Sequence, residues 1–285
     1  MSALAAGPEL QHWIVEQARQ GHDPVSLVAQ MQAQGWPEDQ AIELIQVSLQ
    51  AYLSEHAREN GLPVPTPIPE PMELGGPHWV DAGDRQVAVL ANLRHPRVVV
   101  LGSLLTNEEC DELISLAGAR IQRSETFLMD EGVSVVHEGR TSDGMFFQRA
   151  ENDLCRRIEA RLATLCQWPV ENGEGLQILR YGPGAEYKPH YDYFDPALAG
   201  SQKVLEQGGQ RVASIVIYLN TPRRGGATTF PDAGLEVAPI KGNAVFFSYD
   251  RPHPMTRTLH GGAPVLEGEK WVATKWLRER SYCST

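Results

Sequence analysis

The sequence predicts a mainly β domain of the α+β class, a jelly roll with flanking helices, preceded by a small three-helix module. Three observations carry this expectation. From Gln177 onward the chain breaks into short β-prone runs punctuated by Gly, Pro and Asp. In the first sixty residues the apolar side chains instead recur at helical spacing. Between the two, Leu62-Pro63-Val64-Pro65-Thr66-Pro67-Ile68-Pro69-Glu70-Pro71 carries a proline at every second position, which supports neither a helix nor a sheet interior.

Taken in order, residues 1–60 are expected to form three helices. Asp23-Pro24 supplies an N-cap and first-turn residue for the second, and Pro37 opens the third after Gly35 and Trp36. Ile42, Ile45, Leu49 and Leu53 then repeat at helical spacing, and Trp13, Ile14, Leu27, Val28 and Met31 complete the apolar faces. About fifty residues is near the lower size limit for an independent fold, so self-association, partner binding or packing on the rest of the chain is expected of this module. Its Met31 to Gly35 turn resembles that of ubiquitin-associated-type three-helix modules. Residues 61–75 read as an extended, semi-rigid linker. In residues 76–285, Val98 to Leu105 reads as a strand. Asn107 to Ala117 follows as a helix capped by Thr106 with Glu109 three residues on, and Ala150 to Leu165 as another helix. Short strands are expected at Gln177 to Tyr181, Arg211 to Leu219, Ala244 to Ser248, Thr256 to His260 and Trp271 to Trp276. Helices flanking such strands fit a jelly roll, whose mouth can hold a small ligand.

Composition narrows the class of function. A net charge of −11 argues against binding a phosphate backbone, so no nucleic acid is expected. The imbalance is concentrated in residues 1–71, where nine acids face only Arg19 and Arg58. With 42% hydrophobic residues the chain can bury a core, yet it contains no apolar run of membrane-spanning length. Met1-Ser2-Ala3-Leu4-Ala5-Ala6-Gly7-Pro8 lacks the basic start and long apolar stretch of a secretion signal, which makes the cytoplasm the expected location. Cys110, Cys155, Cys166 and Cys283 are scattered with no C-x-x-C pair, and are expected as buried reduced thiols.

The chemistry concentrates in Tyr187-Lys188-Pro189-His190-Tyr191-Asp192 and in His260. Residues two apart on a strand share a face, so His190 and Asp192 would enter one cavity. Two imidazoles and one carboxylate suit Fe(II), with three positions left open for a chelating cosubstrate and dioxygen. The tripeptide alone is weak, because chance supplies roughly 0.4 His-x-Asp pairs in a chain of this composition. The third ligand could be His253 or His260. His253 lies between Pro252 and Pro254, a poor context for a central strand, whereas His260 ends the strand-like Thr256-Arg257-Thr258-Leu259 and is preferred. Lys270 follows on a returning strand beyond Gly261, Gly262 and Pro264, and can reach the same cavity. A dicarboxylate that chelates iron through a keto-acid end needs such a cation at its far end.

Several ordered blocks together resemble the catalytic domain of prolyl 4-hydroxylases. These are Arg180-Tyr181-Gly182-Pro183-Gly184-Ala185-Glu186-Tyr187 running into the His190 segment, Gly208-Gly209-Gln210-Arg211, Gly225-Gly226-Ala227-Thr228-Thr229-Phe230-Pro231, and the stretch from His260 to Trp276. The resemblance spans residues 97–280. It implies a double-stranded β-helix and a procollagen-proline-type dioxygenase using Fe(II), 2-oxoglutarate and O2, with ascorbate as a further cofactor. It also implies His190, Asp192 and His260 as metal ligands, and Lys270, Tyr181 and Thr228 as the grip on the distal carboxylate of 2-oxoglutarate. The family's frequent Gly-Gly-Glu-Thr is here Gly225-Gly226-Ala227-Thr228, which keeps the threonine and removes the acid. Tyr187 and Trp276 match aromatic positions near the peptide groove. Arg140-Thr141-Ser142 matches the end of a substrate loop, so that Asp130 to Gly139 is expected to close as a lid.

The resulting expectation is hydroxylation at carbon 4 of a prolyl residue in a peptide or protein, giving succinate and CO2. The metal and cosubstrate residues do not report the substrate, so a hydroxylase of a free amino acid or other small molecule is the alternative. Outside enzymes, the rival is a jelly-roll interaction protein acting through its acidic N-terminal module.

Overall fold

A computed structural model describes residues 7–71, 76–123, 126–128, 133–135 and 141–283, with 126–128 and 133–135 described by backbone only. The chain divides into two compact units, Met1–Pro65 and Thr66–Thr285. The division falls inside the proline-rich segment. From Thr66 onward that segment belongs to the second unit, where the Thr66 N–H donates to the Asp250 carbonyl and Arg97 Nε donates to Glu70 at 2.7 Å.

The first unit consists of α1 (Pro8–Arg19), α2 (Pro24–Ala33) and α3 (Glu38–Glu59). Asp23 caps α2 by accepting from the Ser26 N–H at 2.7 Å, and Pro37 stands at the N-cap of α3. Ile14, Leu27, Met31, Ala41, Leu44 and Ile45 form its core. The expected face of α3 is therefore rotated. Ile42 and Leu53 are 40% and 43% exposed, and the smaller Ala41 and Ser48 are buried in their place.

The second unit runs through β1 (Trp79–Asp81), β2 (Gln86–Leu93), β3 (Arg97–Gly102), α4 (Asn107–Gly118), β4 (Gln122–Arg123), β5 (Thr126–Leu128), β6 (Val133–Val135), β7 (Asp143–Phe147) and α5 (Asp153–Cys166). It continues with β8 (Leu176–Tyr181), β9 (Tyr187–His190), α6 (Ala199–Glu206), β10 (Arg211–Tyr218), β11 (Arg224–Gly225), β12 (Thr228–Phe230) and β13 (Leu235–Val237). The last strands are β14 (Ala244–Ser248), β15 (His260–Gly262), β16 (Val265–Glu267) and β17 (Lys270–Arg278). A nine-stranded antiparallel sheet, in the order β1-β2-β3-β14-β10-β17-β8-β7-β4, accompanies a four-stranded sheet, β13-β12-β15-β9. This is the expected jelly roll.

Alternation along the strands assigns two faces to the large sheet. Ala213, Ile215 and Ile217 of β10, with Trp271, Ala273 and Leu277 of β17, join Cys110 and Leu113 of α4 and Ile158 and Leu162 of α5 in one core. The other face contributes Leu179, Tyr218, Val245, Phe247 and Val272 to a second core that includes Phe230 and Val237 of the small sheet. Burying both faces explains why β17 is buried over all nine of its residues. Helix α4 starts as expected, with a capping box in which the Glu109 N–H donates to Thr106 Oγ1 at 3.1 Å and the Thr106 N–H donates to Glu109.

Other boundaries depart from expectation for local reasons. The strand expected through Leu105 stops at Gly102, because Ser103 takes a left-handed φ of 57° and turns the chain toward α4. Helix α5 begins at Asp153 under an Asn152 cap, and Ala150 with a φ of 57° lies outside it. The run Thr256 to Leu259 is not a strand. Pro254–Thr256 is a 3-10 turn closed by Arg257 at φ 54°, and pairing starts only at His260. Cys110, Cys155 and Cys166 are buried free thiols as expected, whereas Cys283 is exposed. Among the described residues no helix is long and apolar enough to cross a membrane.

Candidate metal and dicarboxylate site

A cleft lies against the inner face of the large sheet, where Leu179, Val216 and Val272 line it. His190 is the last residue of β9 and His260 the first of β15, and the antiparallel register places them directly opposite each other. Gly261 permits this approach, since a Cβ there would stand 2.9 Å from the Tyr187 carbonyl oxygen and 3.1 Å from Pro189 N. The imidazole centroids are consequently 4.4 Å apart. Asp192 does not share the strand with His190, because β9 has already ended. The turn that follows still brings its carboxylate back, with Oδ1 3.4 Å from His190 Nε2 and Oδ2 3.6 Å from His260 Nε2. One ligand atom from each of the three residues lies within 4.8 Å of the other two.

The protonation pattern fits a metal. His190 Nδ1 lies 2.9 Å from the Lys188 carbonyl oxygen and His260 Nδ1 3.0 Å from that of Thr258. A carbonyl can only accept, so each Nδ1 carries a proton and Nε2 is the nitrogen left to face a metal. Burial pushes His260 down to about 4, leaving it neutral near pH 7 despite Asp192. For Asp192, burial raises the carboxyl, but the neighbouring His260 and His190 and the Arg211 guanidinium outweigh it and hold the group well below the usual carboxylate range. Two imidazoles and one carboxylate, confined to a small space and lining the cleft, are a donor set for a divalent first-row ion.

The far end of the cleft has the opposite charge. Lys270 is 4% exposed, and no carboxylate among the described residues pairs with it. Burial alone pushes its amine down to about 8. Its Nζ stands 5.7 Å from the Tyr181 ring centroid and 5.8 Å from that of Tyr218. The Tyr218 hydroxyl donates to Thr228 Oγ1 at 2.9 Å, which leaves the Thr228 proton to be donated to a further acceptor. A buried ammonium with an adjacent free hydroxyl proton is completed by an anion. Between the two ends, Leu179, Val216 and Val272 form an apolar belt.

Of the aromatic candidates, Tyr187 and Trp276 both line the cleft, the former stacked on His190 with centroids 3.8 Å apart. Trp276 is 8% exposed and rests on Arg211, whose Nε and Nη2 donate to Glu174 at 2.7 and 2.9 Å. The substrate-loop candidates fall elsewhere. Thr141 exchanges hydrogen bonds with the Glu186 backbone, donating to its carbonyl and accepting from its N–H, and Ser142 is fully buried, so neither lines the cleft. Arg140 and the proposed lid at Asp130 to Gly139 lie outside the described residues, apart from the backbone of β6. Sequence reasoning missed Tyr218, Ser214 and Tyr249. The only available signal was the period of two in β10, which puts Ser214, Val216 and Tyr218 on one face.

Comparison with known proteins agrees with this geometry. The 2OG-Fe(II) oxygenase superfamily matches over residues 176–278. Probable prolyl 4-hydroxylase 7 of Arabidopsis thaliana is 39% identical over 207 residues, covering 66% of this chain and 64% of the relative. Prolyl 4-hydroxylase 2 of the same plant is 40% identical over 212 residues, covering 66% of this chain and 69% of the relative. Among solved structures, the viral collagen prolyl hydroxylase of Paramecium bursaria Chlorella virus-1, in its 2OG complex, aligns with a TM-score of 0.50 and 28% identity over 64% of this chain and 95% of that one.

Proposed function

Because the chain belongs to the prolyl 4-hydroxylase family of 2OG-Fe(II) oxygenases, we propose that it hydroxylates carbon 4 of a prolyl residue in peptide linkage. The observation that carries the reading is one cleft with a His-Asp-His trio at one end and a buried, unpaired lysine at the other. His190, Asp192 and His260 hold Fe(II) through Nε2, one carboxylate oxygen and Nε2. Lys270 and Thr228 grip the distal carboxylate of 2-oxoglutarate, with Tyr181 packed beside them. When bound, the ferrous ion with 2-oxoglutarate and O2 supplies the oxidising chemistry, in which one oxygen atom enters the substrate C–H bond and the other ends in succinate as CO2 is released.

The protein's contribution is orientation and exclusion of water. The apolar belt of Leu179, Val216 and Val272 lets an extended five-carbon dicarboxylate span the cleft only when its two polar ends are satisfied, which fixes which end meets the metal. Tyr187 and Trp276 offer ring faces near the trio against which a pyrrolidine can pack. Thr141 acts indirectly, by holding the loop that precedes β9 through the Glu186 backbone, and Ser142 is buried beside it in sequence. Ascorbate is proposed as the reductant that maintains the ferrous state. The test is aerobic incubation of the protein with Fe(II), 2-oxoglutarate and either proline-containing peptides or free proline, read by mass spectrometry for one added oxygen and by succinate. Peptide oxidation that is lost in His190→Ala is expected. Oxidation of free proline alone would reassign the enzyme to small-molecule metabolism, and succinate-free mixtures throughout would abolish the reading.

A further inference from the structure

Among residues that do not line the cleft, a short chain of hydroxyls ends on the carboxylate of Asp192. Ser214 Oγ donates to Asp192 Oδ2 at 2.5 Å, and the Tyr249 hydroxyl lies 2.9 Å from the same Ser214 oxygen. The direction of both bonds follows from the atoms available. An ionised carboxylate can only accept, so the single Ser214 proton points at Oδ2, and Tyr249 must supply its own proton to Ser214. Burial, then the proximity of Asp192, holds the Tyr249 phenol well above its usual range, so that proton is present throughout the physiological range.

The fold secures both hydroxyls. Ser214 sits mid-strand in β10, paired with Phe247 on β14 and with Trp276 on β17. Tyr249 follows β14 and continues its pairing, its N–H donating to the Val212 carbonyl. Ser214 is completely buried and Tyr249 nearly so, so no solvent competes for these bonds. A serine in the apolar face of a central strand has no packing advantage over alanine or valine, and the carboxylate explains its presence.

We infer that Ser214 and Tyr249 are positioning residues that hold Asp192 as a one-oxygen ligand, occupying Oδ2 so that only Oδ1 is free to bind the metal. This rests on the proposed metal site and deepens it. Three single-atom ligands would leave a six-coordinate ion three positions for a chelating 2-oxoglutarate and O2. A carboxylate bound through both oxygens would take one of these. The relay therefore keeps the coordination number of the protein-bound metal low, independent of any contact with substrate.

The inference is tested on the full chain with Co(II), whose visible absorption reports coordination number, by anaerobic titration of the metal and then of 2-oxoglutarate. Ser214→Ala is expected to weaken Co(II) binding about 10- to 100-fold, to shift the spectrum toward higher coordination, and to weaken 2-oxoglutarate binding to the loaded protein. Tyr249→Phe is expected to move each readout the same way by less, and Ser214→Thr, which keeps the hydroxyl, to restore wild-type behaviour. Thermal unfolding of the metal-free variants separates these effects from misfolding. Should Ser214→Ala not fold, Tyr249→Phe removes a single oxygen and decides alone. Folded variants with wild-type affinity and spectrum would overturn the relay while leaving the metal site standing. A wild-type protein that binds no Co(II) would remove the metal site itself, and the relay with it.

Discussion

Strand β17 buries two lysines five residues apart, and its two faces treat them differently. Lys275, 2% exposed, turns to the helical side and donates to Glu159 of α5 at 2.6 Å. Lys270, 4% exposed, turns to the cleft and has no acid partner among the described residues. Burial lowers the amine of both, but at Lys275 the Glu159 carboxylate opposes that shift. A buried cation with its counter-charge inside the protein is a structural tie, while one without is a site that a ligand completes. The same residue type on one strand is therefore tied to an acid on one face and left to face the cleft without one on the other.

The comparison breaks most visibly at Lys275. Lys275→Met should destabilise the protein by about 3–5 kcal/mol in denaturant unfolding, since Glu159 would be left buried without its counter-charge. Adding Glu159→Gln should recover much of that loss, because the amide oxygen can still accept from the Ala150 N–H that Glu159 now binds at 2.8 Å. Recovery absent in the double variant would mean that Lys275 acts through packing.

At Lys270 the same substitution should have the opposite sign for stability. An amine held at about 8 in the folded protein against an ordinary 10.5 costs about 3 kcal/mol below pH 8, and that cost is relieved as pH rises from 8 to 10.5. Lys270→Met should thus stabilise the ligand-free protein by up to about 3 kcal/mol at pH 7 while weakening 2-oxoglutarate binding on the order of 100-fold. Differential calorimetry with and without 2-oxoglutarate measures both. A loss of stability on this substitution would contradict the unpaired charge.

The smallest effect sharpens the comparison by pH. Above about 8 the free Lys270 is neutral, so 2-oxoglutarate must bring a proton with it, and its affinity should fall by up to about tenfold per pH unit between 8 and 10. His260, held near 4, does not titrate in that window. Lys270→Arg should flatten the profile if it binds at all, whereas a wild-type profile flat through pH 9 would assign the grip to other groups.

Much of this was legible before any fold was known, and the failures are local. His260 does converge with His190 and Asp192 as expected, yet the strand proposed to carry it is a 3-10 turn, because left-handed Arg257 breaks a run whose composition is β-prone. His190 and Asp192 do converge, but a turn past β9 achieves it, with no strand alternation between them. The α3 face was misplaced at Ile42 because Ile42 and Ala41 are neighbours competing for one stripe, and it is Ala41 that enters the core with Ile14, Leu27 and Met31. Beyond the shared face of Ser214 and Tyr218 on β10, nothing in the sequence marks the roles of Ser214, Tyr218 and Tyr249, since a hydroxyl acquires meaning only from the atom across from it.

By itself, the sequence determined the fold class, the order of its elements and the residue types able to hold a metal and a dicarboxylate. Those depend on periodicity, punctuation and side-chain chemistry, which are properties of neighbours along the chain. Only the tertiary structure decided which face of β17 leaves its lysine unpaired, which carboxylate oxygen is capped, and that His190 and His260 stand opposite each other. Each of these is set by strand register and by contacts between residues 20 to more than 100 positions apart, where a shift of one residue exchanges the two faces.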